Sequence, residues 1–252
     1  MNFICPFHND NNASFSFKKK IFICYGCNLK GKLLYNFNIK NFNFFFNKKI
    51  IFNSIKKLYF NKNFWLNYLF IRKININVSL KFNLGTLNFI YKNNKILLNK
   101  LIFPILNIDN ILIGIGLKTT NIKNKYINLF KDNINKNEFF FGMNIIKNNK
   151  YIIIVEGFFD LLTIYKNSYL NTLSSLGCNI NLEKITFLLK NFKKIYFCFD
   201  GDEAGYKTTK KIINYKNVYK NNIIIKNMPF GYDPDNYINF FGIKSFLKFL
   251  SV

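Results

Sequence analysis

Two pairs of metal-ligating side chains open the chain. Cys5-x2-His8 and Cys24-x2-Cys27, fifteen residues apart, use the single histidine and three of the five cysteines of a 252-residue sequence. Each x2 spacing presents its pair on one tight knuckle, and an intervening hairpin can fold the two pairs onto one ion with the tetrahedral geometry of zinc. All four positions are then filled by protein, so the expected metal is one structural Zn2+ with no open position for catalysis. Cys178 and Cys198 lie far away in apolar surroundings and read as core residues.

The carboxylates form a second concentration. Only 12 acids occur in the chain, yet Glu156, Asp160, Asp200, Asp202, Glu203, Asp233 and Asp235 fall in three short stretches, Glu-Gly-x-x-Asp, Asp-Gly-Asp-Glu and Asp-Pro-Asp. Carboxylates gathered at one place repel each other at neutral pH, which is costly unless cations sit among them. Hard oxygen donors in this number suit Mg2+ or Mn2+. A pair of such ions about 3.5 to 4 Å apart serves in-line phosphoryl or nucleotidyl transfer.

Each acid stretch follows an apolar run, "YIIIV", "IYFCF" and "NIIIKNMPFGY". Continuous β-branched runs separated by helical patterns ("LLTIYKN", "NLEKITFLLKNF", "AGYKTTKKIINYKN") read as buried parallel strands with crossover helices, whose carboxyl ends form a ligand crevice. The three acid stretches should therefore converge at one edge of a sheet. Upstream, "SFSF" and "IFIC" alternate as two strands of a zinc ribbon, "FWLNYLFIRKI" reads as a helix, and residues 100–118 read as two strands joined by an Asn-Ile-Asp-Asn turn. Residues 39–60 form a polar-aromatic linker with no element assigned.

Composition weighs less than it first suggests. Asn, Lys, Ile and Phe are all encoded by codons built from A and T alone, so the net charge of +25 records base drift as well as any polyanionic partner. Half of the residues are hydrophobic, enough for a sizeable core. No run of 18 uncharged apolar residues spans a bilayer, and no secretory signal precedes Cys5, so the expected setting is reducing and cytoplasmic, where clustered cysteines bind metal before they pair.

A glutamate after one strand and an Asp-x-Asp after another resemble the Toprim domain, and coupled to the N-terminal CPFH…CxGC ribbon the pattern is similar to the bacterial DnaG-type primases. The "KLIFPILNIDNILIGIGLK" hairpin resembles that family's basic, Phe-Pro and Gly-x-Gly segment. "KYIN" at 125–128, "NEFFFGM", "SSLG" at 174–177 and "CFDGDEAGYKTTKK" at 198–211 resemble further family motifs. The resemblance implies an α+β and α/β architecture: a zinc ribbon over 1–38, a linker over 39–60, a mixed α+β basic subdomain of the RNA polymerase core over 61–148, and a Toprim catalytic subdomain with a mainly parallel sheet flanked by helices over 149–252.

It also implies an activity, DNA-templated synthesis of short RNA primers on single-stranded DNA from ribonucleoside triphosphates. Glu156, Asp200 and Asp202 would be catalytic and, with Asp233 and Asp235, would hold two Mg2+ or Mn2+ ions, with Asp160 supporting them. Lys100, Lys118, Lys125 and Lys136 would line a nucleotide and template groove. Lys100 and Lys118 stand where the family prefers arginine, and lysine lacks the bidentate fork to phosphate, so a looser grip is expected. Phe15, Phe17 and Lys18 to Lys20 offer a single-strand platform, unless the two aromatics are the ribbon's own small core. The usual helicase-docking domain is not found before Val252, which puts contact with the replicative helicase in doubt. Other Toprim enzymes, a topoisomerase or a nuclease, and a decayed single-stranded-DNA-binding remnant are the alternatives; ribonucleotide incorporation on a single-stranded template separates them.

Overall fold

The computed structural model describes residues 2–3, 15–18, 21–25, 30–32, 48–60, 64–92, 95–118, 126–131, 134–168, 170–177, 180–218 and 222–251. Near the N-terminus, β1 (Asn2–Phe3), β2 (Phe15–Lys18), β3 (Ile21–Cys24) and β4 (Lys30–Lys32) pair antiparallel in that order. Phe15 stands opposite Cys24 across the β2–β3 pair, so Cys24 closes a strand where the second knuckle begins. This is the hairpin that the two ligand pairs require.

A helix, α1 (Lys48–Phe60), occupies most of the segment that the sequence leaves without an element. Its buried residues Ile51, Ser54 and Leu58 recur at i, i+3 and i+7, one face of a helix, with Ser54 donating back to the Ile51 carbonyl at 2.7 Å. Two shorter helices follow, α2 (Phe64–Ile71) and α3 (Ile76–Lys81), the latter capped by Asn75.

A four-stranded antiparallel sheet comes next, β5 (Gly85–Lys92), β6 (Lys95–Leu106), β7 (Leu112–Lys118) and β8 (Tyr126–Phe130). The β6–β7 turn is the Asn-Ile-Asp-Asn segment. Asn107 Oδ1 accepts the N–H groups of Asp109 (3.0 Å) and Ile111 (2.8 Å), an Asx turn that lets Asn110 take a left-handed φ of 59°. One face of this sheet packs on Ile51 of α1; the other carries Leu101, Phe103 and Ile105 into the central core.

The second half is a parallel sheet in the order β10-β9-β11-β12: β9 (Tyr151–Val155), β10 (Thr172–Ser174), β11 (Lys194–Phe199) and β12 (Ile223–Asn227). The connecting helices are α4 (Phe158–Ser168), α5 (Leu182–Asn191) and α6 (Glu203–Val218), and α7 (Pro234–Leu250) follows β12 with a kink at Gly242. Strand residues alternate between two apolar layers, as the pleat demands. Ile153, Val155, Tyr196 and Cys198 join α4 and α7, whereas Ile152, Ile154, Ile195 and Phe197 join α5 and α6. Cys198 is fully buried, and Cys178 lies outside the described residues.

The first layer is shared with the antiparallel sheet. Phe158 at the start of α4 stacks on Phe103 of β6, with ring centroids 4.4 Å apart. It can do so because residue 116 of β7 is glycine: a Cβ there would stand 2.2 Å from the Phe158 ring. Among the described residues no helix is long and apolar enough to cross a membrane.

Candidate active site

β9 leads through α4 to β10 on one side, and β11 leads through α6 to β12 on the other. Chain connections thus leave two neighbouring parallel strands in opposite directions, and a crevice opens at their carboxyl ends. Glu156 is the residue after β9 and Asp200 the residue after β11; Glu156 Oε1 accepts the Asp200 backbone N–H at 3.2 Å. Residues 174–177 wrap the Glu156 turn. The Ser174 hydroxyl and the Gly177 N–H both donate to the Glu156 carbonyl, at 2.8 and 3.3 Å. That loop is itself held by Lys184 Nζ on the Ser175 carbonyl (2.7 Å) and by Asn128 Nδ2 of β8 on the Leu176 carbonyl (3.1 Å).

The Asp200 turn is fastened to the third acid stretch by backbone alone. Gly201 N–H donates to the Tyr232 carbonyl at 2.8 Å, and Gly231 N–H to the Gly201 carbonyl at 2.9 Å. A Cβ at residue 201 would lie 2.1 Å from the Pro229 carbonyl oxygen, so the Asp-Gly-Asp motif needs its glycine for close approach. Asp202 is exposed, and its Oδ1 accepts the Gly205 N–H at 2.8 Å. Asp233 caps α7: its Oδ1 accepts the Asn236 N–H at 2.7 Å while the Asn236 side chain accepts the Asp233 N–H at 2.8 Å, with Pro234 next. Asp-Pro-Asp is therefore a helix start as well as an acid pair.

Acidic charge accumulates here. Burial first, then the charges of Asp160, Glu156, Asp233 and Asp202, push the Asp200 carboxyl up to about 9, and its Oδ1 is buried with no hydrogen-bond partner. Asp160 accepts the Gly157 N–H (2.9 Å) and the Asp235 N–H (3.1 Å), yet burial and the charges of Asp233 and Asp235 raise it to about 7. Burial also raises Asp233. An orphaned carboxylate oxygen among mutually repelling acids is the donor chemistry that a hard divalent cation satisfies, so Glu156, Asp200 and Asp202 fit such an ion by type and charge. Among the described residues, no three acids already converge as a ready-made site; the Glu156 and Asp202 carboxylates are held by backbone N–H groups.

Asp235 has another task. It is buried, with Oδ1 accepting the Thr163 hydroxyl (2.5 Å) and Asn239 Nδ2 (2.9 Å), and Oδ2 paired with Arg72 Nη2 (2.5 Å). A carboxylate committed on both oxygens holds α7 against α4 and the turn that follows α2, a different duty from the metal ligation that the sequence suggests. Sequence reasoning passed over Arg72 altogether, although one signal was there: it is the single arginine among 37 lysines and arginines.

Two family models match the chain, a CHC2 zinc finger over residues 2–61 and a Toprim domain over residues 150–226. The DNA primase of Borreliella burgdorferi is 32% identical over 62% of this chain and 31% of its own length. That of Aquifex aeolicus is 27% identical over 94% of this chain and 60% of its own. The crystal structure of the zinc-binding and RNA polymerase domains of the Aquifex aeolicus primase superposes with a TM-score of 0.65 at 25% identity, over 99% of this chain and 78% of that one. The chain is thus similar to the DnaG-type DNA primases along nearly its whole length. It spans 31% and 60% of the length of those two curated relatives. The zinc-finger match carries a metal with it: Cys24 ends β3 as such a site needs, while Cys5, His8 and Cys27 lie outside the described residues. The Toprim match likewise implies a divalent cation at the acids.

The basic positions suggested by the family resemblance are more scattered. Lys118 ends β7 with Nζ 3.4 Å from the Tyr126 hydroxyl and 4.5 Å from that ring's centroid, close to Tyr68 and Phe159. Its cross-strand partner is Leu101, so the pleat turns the adjacent Lys100 to the opposite face, where burial lowers its pKa. Lys136 is exposed on a 3-10 turn, residues 136–138, and Lys125 lies outside the described residues. The structure does not bring Lys100 and Lys118 onto one face. In the ribbon, Phe15, Phe17 and Lys18 are residues of β2, and Lys19 and Lys20 lie outside the described residues.

Proposed function

We propose that this chain synthesises RNA primers on single-stranded DNA, joining ribonucleoside triphosphates by metal-assisted nucleotidyl transfer. The observation that carries the reading is the pairing of Glu156 and Asp200 across the crevice between β9 and β11, with an unsatisfied Asp200 oxygen inside it, in a chain that matches both a zinc-finger and a Toprim model.

Glu156, Asp200 and Asp202 would hold two Mg2+ or Mn2+ ions, with Asp233 at their edge. Such ions, when bound, lower the pKa of an attacking 3′-hydroxyl and neutralise the departing pyrophosphate. The chain's own residues set the stage. The Asp200 N–H fixes the Glu156 carboxylate, Asp160 fixes the Gly157 N–H beside it, and the bonds from Ser174 and Gly177 keep the Glu156 backbone from moving. Lys118 supplies a positive charge on the aromatic wall formed by Tyr68, Tyr126 and Phe159, suited to a phosphate of the incoming nucleotide or template. The Cys5, His8, Cys24 and Cys27 ribbon would hold one structural zinc and contribute to template binding; a cytoplasmic setting at the replication fork goes with this role.

The test is incorporation of labelled ribonucleotides on a single-stranded DNA template with Mg2+ or Mn2+. Wild-type protein should extend dinucleotides to short RNA, and Glu156→Gln and Asp202→Asn should each abolish product while keeping the native circular dichroism spectrum, because an amide is a poor ligand for a hard cation. Absence of RNA product from wild type, or full activity in either variant, would overturn the reading.

A further inference from the structure

We propose that Arg72 is a positioning residue for the acid cluster, its one guanidinium fastening the first turns of α4 and α7 and thereby the turns that carry Glu156 and Asp233. The inference rests on the metal-binding role assigned above to those acids. It starts from composition: every other residue among the 37 lysines and arginines is a lysine, and the one arginine stands where a flat guanidinium can bond a carboxylate and lie over a ring at once. The geometry agrees. Arg72 Nη2 reaches Asp235 Oδ2 in α7 at 2.5 Å, and the guanidinium carbon lies 4.5 Å from the Phe159 ring centroid in the first turn of α4.

From there an unbroken line of hydrogen bonds runs to the crevice. The Asp235 backbone N–H donates to Asp160 Oδ1, and Asp160 Oδ2 accepts the Gly157 N–H, the peptide that follows Glu156. On the other side Asp235 lies two residues from Asp233, whose carboxylate Arg72 also stabilises. Helices α4 and α7 already meet through the Thr163 hydroxyl on Asp235 Oδ1 and the Asp235 N–H on Asp160 Oδ1. The guanidinium adds a tie from outside that pair, lying over Phe159 of α4 and bonding to Asp235 of α7. A lysine ammonium at this position could reach Asp235 and could not stack on Phe159 at the same time.

The experiment measures Mn2+ binding by calorimetry and primer synthesis in parallel, on wild type, Arg72→Lys, Arg72→Met and the double variant Arg72→Met/Asp235→Asn. Arg72→Met leaves Asp235 buried and uncompensated and is expected to unfold readily. The double variant removes that charge and should fold. Folded Arg72→Lys and the folded double variant should both bind Mn2+ about tenfold more weakly than wild type, the scale on which partners behind a metal ligand act. In Arg72→Lys, kcat should fall while KM for the nucleotide stays within about twofold, since no nucleotide contact is lost. Wild-type Mn2+ affinity in either folded variant would reduce Arg72 to a structural strut and overturn the proposal. A wild-type protein that makes no RNA, with Mn2+ affinity that still depends on Arg72, would retire the assigned reaction and leave the positioning role standing.

Discussion

Asp160 and Asp200 hold their protons to higher pH in the folded chain than the ordinary aspartate value of 3.8 that applies when it unfolds, because Asp160 is buried, Asp200 half-buried, and both sit among other acids. The folded state therefore binds more protons between about pH 4 and pH 9, and its stability falls as pH rises through that window. Protein dialysed free of Mg2+ should show a melting temperature that drops from pH 6 to pH 9, and millimolar Mg2+ should recover more of it at pH 9 than at pH 6. Asp200→Asn should flatten the profile and add about 1 to 3 kcal/mol at pH 8 without divalent cations, since an amide spares the folded chain the cost of holding that carboxyl protonated above its ordinary pKa. Differential scanning fluorimetry decides; a profile that rises with pH in the wild type contradicts the electrostatic account. At this scale the acids were legible in the sequence because they are rare in a lysine-rich background. Asp235 was not, since Asp-Pro-Asp reads as a donor pair and its arginine lies 163 residues away in the chain.

Elements were legible where punctuation survives drift. The Asn-Ile-Asp-Asn turn, the apolar runs of β9 and β11 and their parallel pairing all follow from residues whose local chemistry leaves few options. Helix α1 was not legible, because a run of phenylalanines and asparagines just before it makes several faces apolar and leaves asparagine too common there to mark a helix start. The Gly-x-Gly of β7 was read as a family motif, whereas the structure gives one of its glycines a packing reason. Gly116→Ala should push a methyl into the Phe158 ring, separate β7 from α4 and cost about 1 to 3 kcal/mol in denaturant unfolding. Adding Phe158→Leu should return part of that loss. An alanine variant as stable as wild type would show that the β7–α4 contact is slack.

For the whole molecule, the +25 charge and a placed binding residue make different predictions. Lys118 stands on the aromatic wall that continues into α4, and Lys100 is turned to the other face of the same sheet. Lys118→Gln should weaken binding of a labelled single-stranded oligonucleotide, measured by anisotropy at several salt concentrations, and lower the slope of log affinity against log salt by about 0.7, the share of one phosphate contact. Lys100→Gln should leave that slope unchanged. Equal effects would mean that the lysines act as a diffuse field and that the wall does not bind. Topology adds a constraint in time. Phe246 and Leu250 of α7 are fully buried in the layer that also shelters Val155 and Phe158. On the ribosome, Glu156 and its strand are synthesised well before that helix, so the nascent chain must hold the parallel-sheet half open, its apolar face available to chaperones, until α7 clears the exit tunnel and the layer can close.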